Sequence, residues 1–193
     1  MKIGLYFGTF NPIHIGHLII ANEMVENSDL DEIWMVVTPH NPFKKKQSLL
    51  ENHHRFELVY RATENYDKIK ASDLEFKLPQ PNYTIHTLAH AVDTYPDKEF
   101  CLIMGEDNLK SFHKWKNYET ILEHHHIYVY PRVSVGSVTQ QFKNHPKIHP
   151  VKAPIIELSS TMIRKGIQQQ KNIKPLLTKE VWEYIDEMNF YKK

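Results

Sequence analysis

The stretch "GTFNPIHIGH", residues 8–17, follows an apolar run and sets His14 and His17 three positions apart. Glycine at 8 lets the backbone turn and lets a ligand come close. Thr9 and Phe10 offer amide donors, and Thr9 adds a hydroxyl. Asn11 and Pro12 set a turn. A helix opening near Gly16 would present free amides and the positive end of its dipole, which together favour phosphate. A neutral imidazole donates one hydrogen bond and a protonated one donates two. Three chemistries fit these residues. The histidines can be cap or core groups. They can follow the His-x-x-His spacing of metal ligands, although no third ligand lies nearby. Or they can clamp a phosphate.

A second candidate lies near the other end of the chain, in "LSSTMIR", residues 158–164. By itself this run reads as a helix N-cap followed by a surface arginine. Read as chemistry, Ser160 and Thr161 offer hydroxyls, and Arg164 offers a fixed charge on a planar fork suited to phosphate. Gly105 and Asp107 follow another apolar run, and Asp107 also suits an N-cap. Trp115 stands between Lys114 and Lys116, which favours a cleft over a core position. Lys44 belongs to a lysine triplet, at least part of which reads as a solvated loop.

These residues need a scaffold. Strand signals occur at 3–7, 32–38, 71–76, 99–105 and 126–131, several as continuous apolar runs of the kind covered on both faces. Helical spacing occurs between them. Leu18, Ala21 and Val25 share a face with Ile20 and Met24 beside them. Phe56, Val59 and Tyr60 stack, as do Leu88, Ala91, Val92 and Tyr95. The alternation predicts an α/β fold, an open and mostly parallel sheet with helices on both faces. Residues 131–154 are turn-rich and hold one further short strand. "SSTMIRKGIQQQ" then turns helical. "LTKEVWEYIDEMNF" predicts a helix capped by Thr178, with Val181, Trp182, Ile185 and Met188 inward, so the sheet carries a C-terminal helical extension.

Bulk numbers narrow the function class. A formal net charge of +1 gives no global field for nucleic acid or an anionic membrane, so any anion site must be local. The single cysteine, Cys101, excludes an intramolecular disulfide and reads as a buried core residue in a reducing compartment. His124–His126 read as the polar end of a helix leading into a strand. No segment reaches membrane-spanning length. The expectation is one domain over residues 1–193, cytoplasmic, with small-molecule nucleotides as partners and no nucleic acid or membrane. Oligomeric state is not readable from the sequence.

"GTFNPIHIGH" resembles the (His/Thr)-x-Gly-His signature of the nucleotidyltransferase superfamily, and "LSSTMIR" resembles its Ile-Ser-Ser-Thr-x-Ile-Arg run. "PNYTIHTL" (81–88), "GEDNLKSFHKWKNYETIL" (105–122) and "TPHNPFKKK" (38–46) are similar to segments of the bacterial nicotinate-nucleotide adenylyltransferase family. The resemblance implies a Rossmann-like fold and adenylyl transfer from ATP to nicotinate mononucleotide in NAD biosynthesis. ATP would be a substrate that carries its own Mg2+, with no protein metal site. His14, His17 and Arg164 would be catalytic. Gly8, Thr9, Phe10, Gly16, Gly105, Asp107, Ser160 and Thr161 would bind ATP. Asn11, Lys44, Tyr83, Thr84 and Trp115 would bind the acceptor, with Arg55 a further residue facing it. The chain departs from the family pattern at Asn82 (usually Ser), His86 (usually Asp), Asn11 (usually Asp) and in "NPFK", where the family has Pro-Pro-His-Lys.

Overall fold

The computed structural model describes residues 1–40, 49–132, 142 and 144–192. Among these residues six strands form one sheet: β1 (Lys2–Gly8), β2 (Glu32–Val37), β3 (Ile69–Ser72), β4 (Glu99–Gly105), β5 (Ile127–Tyr130) and β6 (Ile148–Pro150). Their order across the sheet is β3-β2-β1-β4-β5-β6, and every adjacent pair is parallel. The sheet is thus all parallel rather than mostly so. The chain builds outward from β1 to β3, then crosses back to place β4 on the other side of β1. The strand order reverses between β1 and β4, and in such sheets ligands bind outside the carboxyl ends at that switch. Gly8 and Gly105 end these two strands.

Among the described residues seven α-helices cover the sheet: α1 (Ile15–Glu26), α2 (Asn52–Thr63), α3 (Thr84–Thr94), α4 (Glu106–Ser111), α5 (Tyr118–His124), α6 (Ser160–Gln168) and α7 (Lys179–Glu187). Strand side chains alternate between two cores, as a period of two requires. Ile33, Met35 and Val37 of β2 join Cys101, Ile103 and residues of α1, α2, α6 and α7 in one core. Val36, Phe100, Leu102 and Met104 join residues of α3, α4 and α5 in the other. Cys101 is buried, and burial pushes its thiol up to about 12. Thr178 caps α7 as expected, its hydroxyl accepting from the Val181 N–H at 3.3 Å. The histidine triplet spans the end of α5 and the entry to β5, and His125 meets the Phe100 carbonyl at 2.8 Å.

Some expectations shift. The third strand ends at Ser72 instead of running to residue 76. The Ser72 hydroxyl accepts from the Leu74 N–H at 3.3 Å, and the Phe76 N–H donates to the Asp73 carbonyl at 2.8 Å, so the chain leaves the ladder in a turn. Tyr60, Val92 and Met188 face outward, at 49%, 42% and 42% exposed. Each lies at the margin of an apolar stripe whose centre is buried. Arg55 replaces Tyr60 on the inner face of α2 and is fully buried.

Candidate active site

At the carboxyl ends of β1 and β4 the chain encloses a cavity of about 580 Å3. Thr9, Asn11, His14, Gly16 and His17 line one side. Ser159, Ser160, Thr161 and Arg164 line the other, with Asp107, Asn108 and Arg132 between them. The two sequence motifs therefore meet in space. They also bond to each other. The Ser160 hydroxyl donates to the Pro12 carbonyl at 2.8 Å, and the Arg164 Nη1 donates to the Asn11 carbonyl at 2.8 Å. Arg164 Nη2 donates to the Thr161 hydroxyl at 3.3 Å, so part of its fork is fixed by its own helix. Ser159, not Ser160, caps α6, accepting from the Met162 N–H at 3.2 Å.

The β1–α1 turn is tighter than its composition implies. Among the described residues no glycine has a positive φ, and Phe10 takes the left-handed conformation at φ 43°. Glycine is needed at 8 for space, because a Cβ there would lie 2.7 Å from the Phe10 ring. At Gly16 a Cβ would lie 2.8 Å from Ile156, and at Gly105 it would lie 2.4 Å from the Asp107 carboxylate. Gly8, Phe10 and Gly105 are not in the cavity wall; they pack closely against residues next to it. The buried Phe10 packs edge-on against His17, ring centroids 5.1 Å apart.

His14 is the N-cap of α1, and its backbone N–H donates to His17 Nδ1 at 3.3 Å. That bond makes Nδ1 of His17 an acceptor, so its ring proton resides on Nε2. The two rings stack with centroids 3.7 Å apart. His14 is buried, and its Nδ1 has no hydrogen-bond partner. Burial, with the nearby Arg132 charge adding to it, pushes His14 down to about 4, so it is neutral at pH 7. Asp107 sits in the first turn of α4 and is not its cap; Gly105 holds that position. The Asp107 carboxylate lies 3.8 Å from Arg132 Nε.

Arg55 contributes most to the rigidity of the cavity floor. It donates to the carbonyls of Leu50 (3.0 Å), Thr9 (2.7 Å) and Thr38 (2.8 Å), and to the Asn52 side chain (2.6 Å). It ties the ends of β1 and β2 to α2. Burial pushes its guanidinium down to about 10, still charged at neutral pH. Among the described residues no carboxylate pairs with it. Asn11 is held too, its side-chain oxygen accepting from Tyr191 Oη (2.8 Å) and the Leu50 N–H (3.3 Å). This places Asn11 in the larger cavity, apart from Tyr83, Thr84 and Trp115.

Of the residues expected at the acceptor, Tyr83, Thr84 and Trp115 line a second, smaller cavity of about 90 Å3, next to the first and sharing Asn108 with it, while Arg55 lines the larger. Tyr83, Thr84, Trp115, Lys116, Asn82 and Glu75 form much of its wall. Tyr83 is the N-cap of α3 and no side chain caps that helix. Lys116 lies over the Tyr83 ring, 4.6 Å from its centroid. The departures from the expected pattern find places here. Asn82 accepts from the His40 N–H (3.2 Å) and donates to the Glu75 carbonyl (3.2 Å), so it braces the wall. His86 is exposed and not part of the cavity wall, and it packs edge-on against the Tyr83 ring with centroids 5.7 Å apart. Lys44 and "NPFK" lie outside the described residues.

Sequence reasoning missed Arg132, Asn108 and Glu75, and it left Arg55 at the edge of the argument. Arg132 ends a strand-like run and Arg55 opens a helix; neither position carries a spacing signal.

An all-parallel sheet with a histidine-bearing turn and a hydroxyl–arginine helix across its switch point defines a nucleotidyltransferase. The Cytidylyltransferase-like family model matches residues 5–166. A nicotinate-nucleotide adenylyltransferase of Christiangramia forsetii is 69% identical over 99% of this chain and 98% of its own length. That of Cytophaga hutchinsonii is 52% identical over the same shares. The chain belongs to the nicotinate-nucleotide adenylyltransferases of the Cytidylyltransferase-like family. Its fold is similar to that of the Plasmodium falciparum nicotinic acid mononucleotide adenylyltransferase complexed with NaAD, with a TM-score of 0.81 and 22% identity over 98% of this chain and 97% of that one.

Proposed function

We propose that this protein transfers the adenylyl group of ATP to nicotinate mononucleotide, giving deamido-NAD and pyrophosphate, in NAD biosynthesis. The observation that carries this is the pair of joined cavities. The larger bears Arg55, Arg132 and Arg164 against the single carboxylate of Asp107, a local surplus of positive charge suited to phosphates. The smaller has room for about three waters, taking roughly 30 Å3 for each. That suits one six-membered ring and not a purine.

The acceptor phosphate is already ionised at neutral pH, so no strong general base is needed. One of its oxygens forms the new bond to the α-phosphorus, and the bond from that phosphorus to the pyrophosphate oxygen breaks. Catalysis is then positioning plus stabilisation of charge on the equatorial oxygens and the leaving group. His17 Nε2–H and neutral His14 are suited to donate at the α-phosphate. The Nδ1 of His14 that lacks a partner is a group a ligand oxygen would satisfy. Thr161 and the remaining donors of Arg164 are suited to the leaving phosphates. Backbone amides of Thr9 and Phe10 and the α1 and α6 starts add further donors. Trp115 offers a face for the pyridine ring, and the uncapped start of α3 at Tyr83 and Thr84 suits its carboxylate. Mg2+ fits as part of the ATP substrate. Asp107 is a lone carboxylate at the cavity, and no cluster of three His, Cys, Asp or Glu occurs among the described residues.

Incubating the protein with Mg·ATP and either nicotinate or nicotinamide mononucleotide, and measuring pyrophosphate and dinucleotide, tests this reading. The expected result is a higher kcat/KM for the nicotinate form. A clear preference for the amide would overturn the acceptor assignment.

A further inference from the structure

Glu75 is an unusual wall for an acceptor pocket. It is 1% exposed, yet it lines the smaller cavity. Its Oε1 accepts from the Thr87 hydroxyl of α3 at 2.6 Å, while its Oε2 is buried without a formed hydrogen bond, the Thr38 hydroxyl being the polar group beside it. No cation pairs with it among the described residues. The charged or titratable neighbours facing the same cavity are Tyr83, the cap of α3, and Lys116, which is engaged over the Tyr83 ring. The remaining neighbours from β1, β2 and β4 are apolar apart from the Thr38 hydroxyl.

We propose that Glu75 is a specificity-determining residue whose proton sets the choice of acceptor: as the neutral acid it admits a ring bearing a carboxylate, and as the carboxylate it excludes that ring in favour of one bearing a carboxamide. This rests on the acceptor reading above. The physical reasons are two. An ionised Glu75, itself paired with no cation, would put a second negative charge in a small cavity, where like charges repel strongly. A neutral Glu75 instead brings an O–H that can donate to an anion. Its unpartnered oxygen is the group left to do so. Burial moves Glu75 the required way, pushing its carboxyl up from the ordinary value, with the Thr87 and Thr38 hydroxyls offsetting part of the rise.

The test is the ratio of kcat/KM for nicotinate over nicotinamide mononucleotide, measured from pH 5.5 to 8.5. Groups that act equally on both substrates cancel in this ratio. In the wild type it should fall with rising pH, by up to about tenfold per unit once Glu75 ionises. In E75Q it should stay within about twofold across the range and still favour the nicotinate form. Lys116 and Tyr83 are unchanged in that variant, so any pH dependence they supply would survive there. A flat ratio in the wild type, the same fall in E75Q, or an E75Q that prefers the amide would each overturn the proposal. If E75Q does not fold, T87V removes a donor that favours the ionised form and should move the fall to higher pH. An unmoved curve counts against Glu75. Failure of the acceptor reading itself would look different, with neither mononucleotide adenylylated.

Discussion

The two cavities are assembled differently. The larger joins segments far apart in the chain: Ser160 reaches Pro12 across 148 positions, and Arg164 reaches Asn11 across 153. The smaller takes Glu75, Asn82, Tyr83 and Thr84 from the β3–α3 connection, where Asn82 and Thr87 bond to Glu75, and the rest of its wall from Phe7, Thr38, β4 and residues 108–116. The larger is wide and sets three arginines against one lining carboxylate, and the smaller is narrow and carries Glu75 and Lys116. A site that must stabilise charge in a transition state draws donors from both ends of the chain and fixes them through backbone carbonyls. A site that sorts ligands needs shape and a few placed polar groups. The first should then govern turnover and the second should govern substrate affinity.

His17→Ala offers the sharpest way to break that division. Losing one preorganised donor should lower kcat by about two to three orders of magnitude, with a much smaller change in ATP affinity. Steady-state kinetics checks this, and near-normal turnover in a folded variant would remove His17 from the chemistry. Arg55→Met addresses the floor that both cavities rest on. It leaves the carbonyls of Leu50, Thr9 and Thr38 without their donor, and should destabilise the fold by about 3 kcal/mol in urea titrations. Arg55→Lys should recover only part of this, because one ammonium cannot reproduce the fork.

His14 gives the pH dependence of the larger cavity. Its folded value of about 4 lies below the ordinary 6.5 of the unfolded chain. The unfolded state therefore takes up the proton first on acidification, and stability contributed by neutral His14 is lost as pH falls from 6.5 towards 4. Between pH 7 and pH 5 this amounts to about 2 kcal/mol. Unfolding free energies of wild type and His14→Gln at the two pH values should differ in slope by that amount, and equal slopes would count against a buried neutral His14. The smallest effect belongs to the smaller cavity. Trp115→Ala should raise KM for the mononucleotide about tenfold through lost ring stacking, leaving KM for ATP nearly unchanged. If ATP is the substrate affected, Trp115 serves the other chamber.

Much of the scaffold was legible because its signals are local. Apolar runs at strand length and the 3.6-residue stripes of α1, α3 and α7 read directly as a covered parallel sheet. The stripes misplaced residues only at their margins, as with Tyr60, Val92 and Met188, because a period gives a direction and not the edge of a contact. The third strand was set too late because the Ser72 side chain competes for the backbone just where the apolar run continues. Both phosphate motifs were visible too, since a helix start rich in hydroxyls or histidines is itself a local pattern.

The sequence by itself determined the alternation of strands and helices, the two motif-bearing helix starts and the chemistry their residue types allow. Only the tertiary structure decided that those starts face each other. It also decided that Phe10 rather than Gly8 takes the left-handed turn, that Arg55 is a buried brace and that Glu75 is left with an unpartnered oxygen. The reason is physical. Helical and strand periods arise from neighbouring residues and can be read along the chain. Which polar groups lose water, and which distant carbonyls must then satisfy them, depends on how the layers close over one another.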